Sequence, residues 1–514
     1  MLTFVIRRII AAFFIVLGAT FIAYILMANA GDPLETARGT QNVTQRLQQI
    51  KSVTAALHLD INPVARYFLW LKGIGGCFVG KCDFGTYINL QSVTSDLGTY
   101  MVISLRLITA ATVLAIFFGI AIGIVTAIKQ YSGFDYTITF TTFVFFSLPV
   151  FWIGILLKDL VAIKFNDFLN LSGGPTFSTV WFVVLALFFA LVTYSILNGT
   201  FARKIGIAAI VAVVVFALAF YISQTHWLLH PSLGLPVIAV LSILLAFGVT
   251  TLTTGVRNRQ ALLTALITAV IGIVLWYPLQ IFFHSGMSFW KLILLLVIGL
   301  VVGIVTGYLV GGDDKRVNAR TGALTAFAVA VVIFIDRIMR TWKVYSRLVG
   351  GRPLATQGQQ TPNLNGDFWI NLTDVATHLL LPTITLMIIS LATHSRFARS
   401  SMLEVLNQDY IRTARAKGLT ERTVIMRHAF RNSLIPITTI IAFDISGLLG
   451  GAVLTETVFS YKAMGQLFQQ GLLKHDPNPV MAFFLVNAVI VVIMNMVADI
   501  AYALLDPRIR VGSS

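Results

Sequence analysis

Six basic side chains crowd into one polar stretch of an otherwise apolar chain. Arg412, Arg415, Lys417, Arg422, Arg427 and Arg431 lie within DYIRTARAKGLTERTVIMRHAFRNSLIP, Asp409 to Pro436, against only Asp409 and Glu421. A cationic, helix-forming segment of this kind is suited to docking on a partner or on acidic headgroups rather than to bond chemistry. The other reactive residue types are sparse. Cys77 and Cys82, in GGCFVGKCDFG, have four residues between them. An oxidising compartment favours a small disulfide loop there, the alternatives being two unpaired thiols or a metal site, and the latter would want two more ligands nearby. His226, His230 and His284 are scattered and give no convergent set. No GxxxxGK[ST] phosphate loop occurs, so any energy from ATP must arrive from another subunit.

The elements that hold the basic stretch follow from local chemistry. Tyr410 to Lys417 is rich in Ala and Arg and predicts a helix; Gly418 can supply the left-handed residue that ends it. Thr420 offers an oxygen to cap a second short helix over Glu421 to His428. Pro436 falls at the mouth of the next apolar run, where a first turn tolerates proline.

Composition sets the class. The 514 residues are 57% hydrophobic and 11% charged, against about 25% charged for a soluble domain, and apolar runs long enough to span a bilayer recur throughout. The expectation is an all-α polytopic membrane protein. A formal charge of +16 in a soluble chain would suggest nucleic acid, but here the basic residues cluster in short loops, the signature of topology and acidic lipid. Arg7 and Arg8 precede a run from Ile9 to Met27 that is too long for a secretory signal, so it reads as a first span.

Taken in order, the expected organisation is a first helix in 1–30 and an extracytoplasmic region in 31–102. The latter contains an amphipathic segment, LHLDINPVARYFLWLKG, on the outer surface. Helices two and three occupy 103–170, the third containing SLPVFWIGILL, where Pro149 would kink it. Residues 171–340 hold six candidate spans, Val180–Leu197, Ile205–Ile222, Leu235–Leu252, Leu262–Phe283, Leu292–Val310 and a weak, short Leu324–Ile335. An even number returns the chain to the side it left. Loop charges agree except in DRIMRTWKVYSRLVGGR, read as a basic amphipathic segment on the outer face. An extracytoplasmic loop follows in 341–378, then helices four to six in 379–514 around the polar loop 400–433. Glu456 and Asp499 border spans as interface or packing groups.

The helix, Gly418, helix order resembles the cytoplasmic "EAA" loop of the permease subunits of type I ABC importers. The strings RTARAKGLTERTVIMRHAFRNSLIP, SLPVFWIGILL and the tail LLDPRIR resemble the dipeptide/oligopeptide branch of that family. Arg412-Thr413-Ala414 stands where many relatives carry Glu-Ala-Ala, and Lys462-Ala463 where Pro-Gly is common. The resemblance covers about residues 1–175 and 340–512. It implies a MetI-like bundle of about six helices, here with about six inserted. It further implies a multi-pass protein of a prokaryotic cytoplasmic (inner) membrane, paired with a second permease subunit. Two cytoplasmic ATPases would bind ATP and Mg on its behalf, no cofactor would sit in this chain, and an extracytoplasmic substrate-binding protein would feed it. The residues implied to dock on the ATPase are Arg412, Ala414, Ala416, Gly418, Thr420 and Glu421. Peptide is the implied cargo, with nickel chelates or another binding-protein-delivered solute as the alternative. A stand-alone secondary transporter is the reading from another class, although no internal repeat supports it.

Overall fold

The structure, a computed structural model, describes residues 2–505 apart from 172–174, 198 and 285. Among those residues every regular element is a helix, with one isolated bridge between Thr86 and Ser92. Among the described residues ten helices are long and apolar enough to cross a membrane, and a bent pair brings the number to eleven. In lipid the backbone has no water to bond, which is why apolar runs of this length fold as helices. The chain divides into two compact units, one holding residues up to 161, 356–359 and from 379 on, the other 162–355 and 360–378.

In the first unit α1 is Leu2–Asn29, followed by α2 (Val43–Ala56) and α3 (Pro63–Gly75). Tyr67 of α3 donates to the Leu17 carbonyl at 3.0 Å and meets Thr20 Oγ1 at 3.0 Å, so α3 is fixed to the body of α1. Its Val64, Phe68 and Leu69 stay exposed, the pattern of a helix lying in the interface. Cys77 and Cys82 are joined by a disulfide just beyond α3. The next helix, α4 (Val93–Ile128), starts ten residues before the expected second span. Then α5 (Gly133–Ser147) and α6 (Val150–Leu169) meet at 103°. The expected kink at Pro149 is therefore a full break: Leu148 and Pro149 are extended, and Pro149 starts α6 from the position before its first turn.

The same unit contains most of α13 (Phe368–Leu406), then α14 (Asp409–Ala416), α15 (Phe430–Val458), α16 (Met464–Leu473) and α17 (Pro477–Leu505). Gly119 and Gly123 let α4 lie against α13; an added Cβ would sit 2.7 Å from that of His394 and 2.6 Å from that of Ala398. Glu456 is buried, accepting from Ser104 Oγ and the Gly465 N–H, each at 2.6 Å, and so ties α15 to α4 and α16 as a packing group.

The second unit contains α7 (Thr179–Ile196), α8 (Phe201–Gln224), α9 (Gly234–Thr253), α10 (Arg259–Phe282), α11 (Phe289–Val310) and α12 (Lys315–Leu348). Gly303 of α11 and Gly322 of α12 approach so closely that a Cβ on either would fall on the other's carbonyl. The weak span Leu324–Ile335 and the separate basic segment after it prove to be one unbroken helix of 34 residues. The interruption in hydropathy comes from Asp336 and Arg337, both buried within the protein. Asp336 accepts from Leu233 N–H at 2.9 Å, Trp276 Nε1 at 3.0 Å and Arg340 Nε at 2.8 Å. One carboxylate thus satisfies orphan donors at the start of α9 and pairs with a guanidinium that stays about one third exposed, which is how Asp336 persists inside an apolar unit. Likewise the loop expected over 341–378 is helical at both ends, up to Leu348 and again from Phe368.

Candidate functional site

The elbow between α13 and α15 is built from short-range bonds. Ile411 and Ala414, three residues apart on one face of α14, are buried with Met402, Val424, Ala429 and Ala127. That apolar contact positions the helix, since eight residues are too few to be stable alone. At its end Gly418 takes φ +74°, its N–H donates to the Arg415 carbonyl at 2.9 Å, and the Leu419 N–H reaches back to Ala414 at 3.4 Å. These two bonds are the Schellman pattern, which satisfies the last carbonyls and turns the chain sharply. Thr420 Oγ1 then accepts from the Thr423 N–H at 3.4 Å and caps the next turn, Glu421–Thr423.

The second short helix, expected over Glu421 to His428, is not separate but the start of a longer one. After Thr423 the chain widens into a π turn over Val424–Ala429 and runs without a gap into α15. Pro436 consequently lies inside α15 rather than at its mouth. The backbone bond it cannot make would have gone to the carbonyl of Asn432, an exposed residue.

Arg415 and Glu421 close the elbow with paired bonds, Nη2 to Oε1 at 2.8 Å and Nε to Oε2 at 3.2 Å. The Arg415 hydrogen bond holds the Glu421 carboxyl below its ordinary range. Upstream, Arg399 of α13 bonds Asp135 at the start of α5 at 2.8 Å, and Ser401 Oγ donates to the Ser433 carbonyl at 3.0 Å, so the base of the elbow is fastened on two sides.

The residues read from the sequence do not share one face. Arg412, Ala416, Gly418, Thr420 and Glu421 are exposed, whereas Ala414 is turned inward and works as a spacer beneath the helix. Three further side chains of the elbow, Tyr410, Leu419 and Met426, are apolar or aromatic and exposed. The signal that could have found them is the Ile411/Ala414 pair, which fixes the inward face and leaves the rest outward. The tail string LLDPRIR lies outside the described residues from Asp506 on, as does the Asp499 side chain.

Helices of membrane-spanning length and an anchored polar elbow between α13 and α15 define the class, a multi-span membrane subunit. The chain belongs to the family of binding-protein-dependent transport system inner membrane components, whose family model matches residues 232–511; the N-terminal model of such membrane components matches residues 1–95. It is a multi-pass inner-membrane protein. It is 38% identical to the oligopeptide transport system permease protein OppB of Mycobacterium tuberculosis (strain H37Rv), over 36% of this chain and 56% of that one. To AppB of Bacillus subtilis, also an oligopeptide transport system permease protein, it is 44% identical over 30% and 48%. For the dipeptide transport system permease protein DppB of Escherichia coli K12 the values are 45% over 27% and 41%. The chain spans about half the length of the curated relatives it matches.

Proposed function

We propose that this chain is one half of the transmembrane pair of an ABC importer that moves peptides inward. Separate ATPase subunits grip it at the elbow, a second permease subunit completes the path, and an extracytoplasmic binding protein delivers the cargo. The observation that carries this reading is the division of α14 into an anchored side, Ile411 and Ala414, and a bare side bearing Arg412 and Ala416 that continues into Gly418, Thr420 and Glu421. A surface that is rigidly held yet left open is what a force-transmitting contact requires. Energy comes from elsewhere because the chain has no phosphate loop. Nucleotide binding in the ATPases then biases a two-state bundle through one docked element. Peptide is the preferred cargo because the similar proteins are oligopeptide and dipeptide permeases.

The test is purification from native membranes followed by reconstitution. Co-purifying ATPase subunits and ATP-dependent uptake of a labelled peptide support the proposal. A chain that transports alone, without nucleotide, refutes it.

A further inference from the structure

Asp96 and Asp476 line one cavity of about 510 Å³ within the first unit, walled by α2, the turn 87–91, the start of α4, and α16 with the turn after it. Asp476 is 3% exposed and accepts from the Ile88 N–H at 2.8 Å and the Asn478 N–H at 3.3 Å, so it holds the turn 87–91 in place. One residue earlier in that turn, the Tyr87 hydroxyl donates to Asp96 at 3.4 Å, and the Ser95 hydroxyl stands 3.5 Å from the other oxygen. Both contacts are long, which leaves the Asp96 carboxylate with acceptor capacity to spare. Burial first, then Asp96, push the Tyr87 phenol above its ordinary range and keep its proton in place. Among the described residues neither carboxylate has a basic side chain within 4 Å.

The same cavity holds groups of the opposite kind. Lys474 lines it and is exposed, and so do the side-chain amides of Gln49 and Gln470. The Gln49 carbonyl oxygen accepts from Thr40 Oγ1 at 2.7 Å, which leaves its NH2 to donate. Position adds a second argument. Asp96 lies in the first turn of α4, and Ala127, near the other end of that helix, is packed with Met402 and Ile411 beneath the elbow. The two residues are about 47 Å apart along one helix, more than the hydrocarbon slab of about 30 Å, so the cavity opens on the side of the membrane away from the elbow.

We propose that this cavity holds a short peptide by both ends, its ammonium on Asp96 and Tyr87 and its carboxylate on Lys474. Gln49 and Gln470 serve the peptide groups, and Asp476 is a positioning residue that fixes the turn carrying Tyr87. A recess of this size with a carboxylate, an ammonium and free amides matches a small zwitterion. A sugar would leave both charges unanswered, and a polyamine would meet Lys474 with its own sign. The inference rests on the reading of this chain as a peptide-importer subunit, and it names a place where arriving cargo is held on the far side from the motor.

The test is equilibrium dialysis of the full chain in mild detergent, without nucleotide, against labelled trialanine. Wild type should bind it saturably, and N-acetyl-trialanine should compete about ten- to a hundredfold less well, the loss expected for a charge-assisted bond. Asp96→Asn should weaken binding by a similar factor and abolish the difference between free and acetylated peptide, and Asp96→Glu should restore part of both. Lys474→Gln should instead abolish the preference for trialanine over its C-terminal amide. Thermal midpoints show that each variant is folded, and the acetylated probe tests the site on the unaltered chain. The proposal is overturned if wild type binds no trialanine, if the acetylated peptide or spermidine competes as well as trialanine, or if Asp96→Asn keeps the discrimination. ATP-driven uptake by a chain without the ammonium preference overturns the site and leaves the importer reading standing. The preference in a chain that shows no ATP-driven uptake supports the site and fails that reading.

Discussion

Arg415 and Glu421 clasp each other across Gly418, with paired contacts of 2.8 and 3.2 Å on the outside of the elbow. The clasp is solvent-exposed, so its contribution to global stability is at most about 1 kcal/mol. Its effect should be local. Arg415→Glu is expected to reduce ATP-driven uptake while leaving the thermal midpoint near wild type, and the swapped pair Arg415→Glu with Glu421→Arg should recover part of it. The carboxyl of Glu421 is lowered, so the clasp is fully present above the ordinary glutamate range and lost as pH falls through the lowered value. ATP-driven release of peptide from preloaded inside-out vesicles should therefore show no clasp-dependent change near neutrality.

Gly418 stands at φ +74°. A β-branched side chain there costs about 1–2 kcal/mol and opposes the turn that redirects the chain. Gly418→Val should insert into the membrane at wild-type levels, as read by immunoblot of membrane fractions, yet lose ATP-dependent uptake. Undiminished transport would remove the elbow from the mechanism.

Asp476, in the turn before α17, has its carboxyl pushed up to about 6 by burial, against bonds from the Ile88 and Asn478 N–H groups. The folded state therefore holds a proton that the unfolded state has released, and stability falls as pH rises from about 4 to about 6. The contribution is up to about 3 kcal/mol. Thermal midpoints of wild type should decline across that window, and Asp476→Asn should flatten the decline.

Asp336→Ala leaves the Leu233 N–H and the Trp276 indole without an acceptor and Arg340 without its partner. A loss of about 3 kcal/mol is expected, read as easier proteolysis between α8 and α9. Asp336→Asn should restore part of it by returning one acceptor.

Gly303→Val should disrupt the α11 to α12 seam, because the new Cβ would occupy the place of the Gly322 carbonyl. Gly248→Val in α9 meets nothing within 4 Å and serves as the matched control. Overpacking of this kind costs about 1–3 kcal/mol, and thermal midpoints of the two variants should differ accordingly.

Much of the fold and of the elbow could be read from local signals. Gly418 and Thr420 marked the turn because their roles are set within a few residues, and the apolar runs of α7 to α11 marked themselves by length. The misreadings share a cause, dependence on neighbours far along the chain. Pro149 announced a bend but not its 103°, which is fixed by what surrounds it. The single helix α12 was divided because Asp336 and Arg337 look like the end of a span until Leu233, Trp276 and Trp369 are placed around them. The direction of Ala414 was not legible because an alanine carries no sign of it, and only burial beside Ile411 shows which way it points.

At 1.5 Å per residue α12 is about 51 Å long, against a hydrocarbon slab of about 30 Å. Hiding the excess by leaning would demand about 54°, more than the 40° or so that such helices reach. The rod therefore protrudes into water at both ends, with Lys315, Arg316 and Arg320 at one tip and Arg340, Lys343 and Arg347 at the other. Sliding it along its own axis in either direction would drag one set into oil, at about 3 kcal/mol for each charge. Its depth is thereby locked, and the movements left to the rod are swivel and sway, not the stroke of a piston.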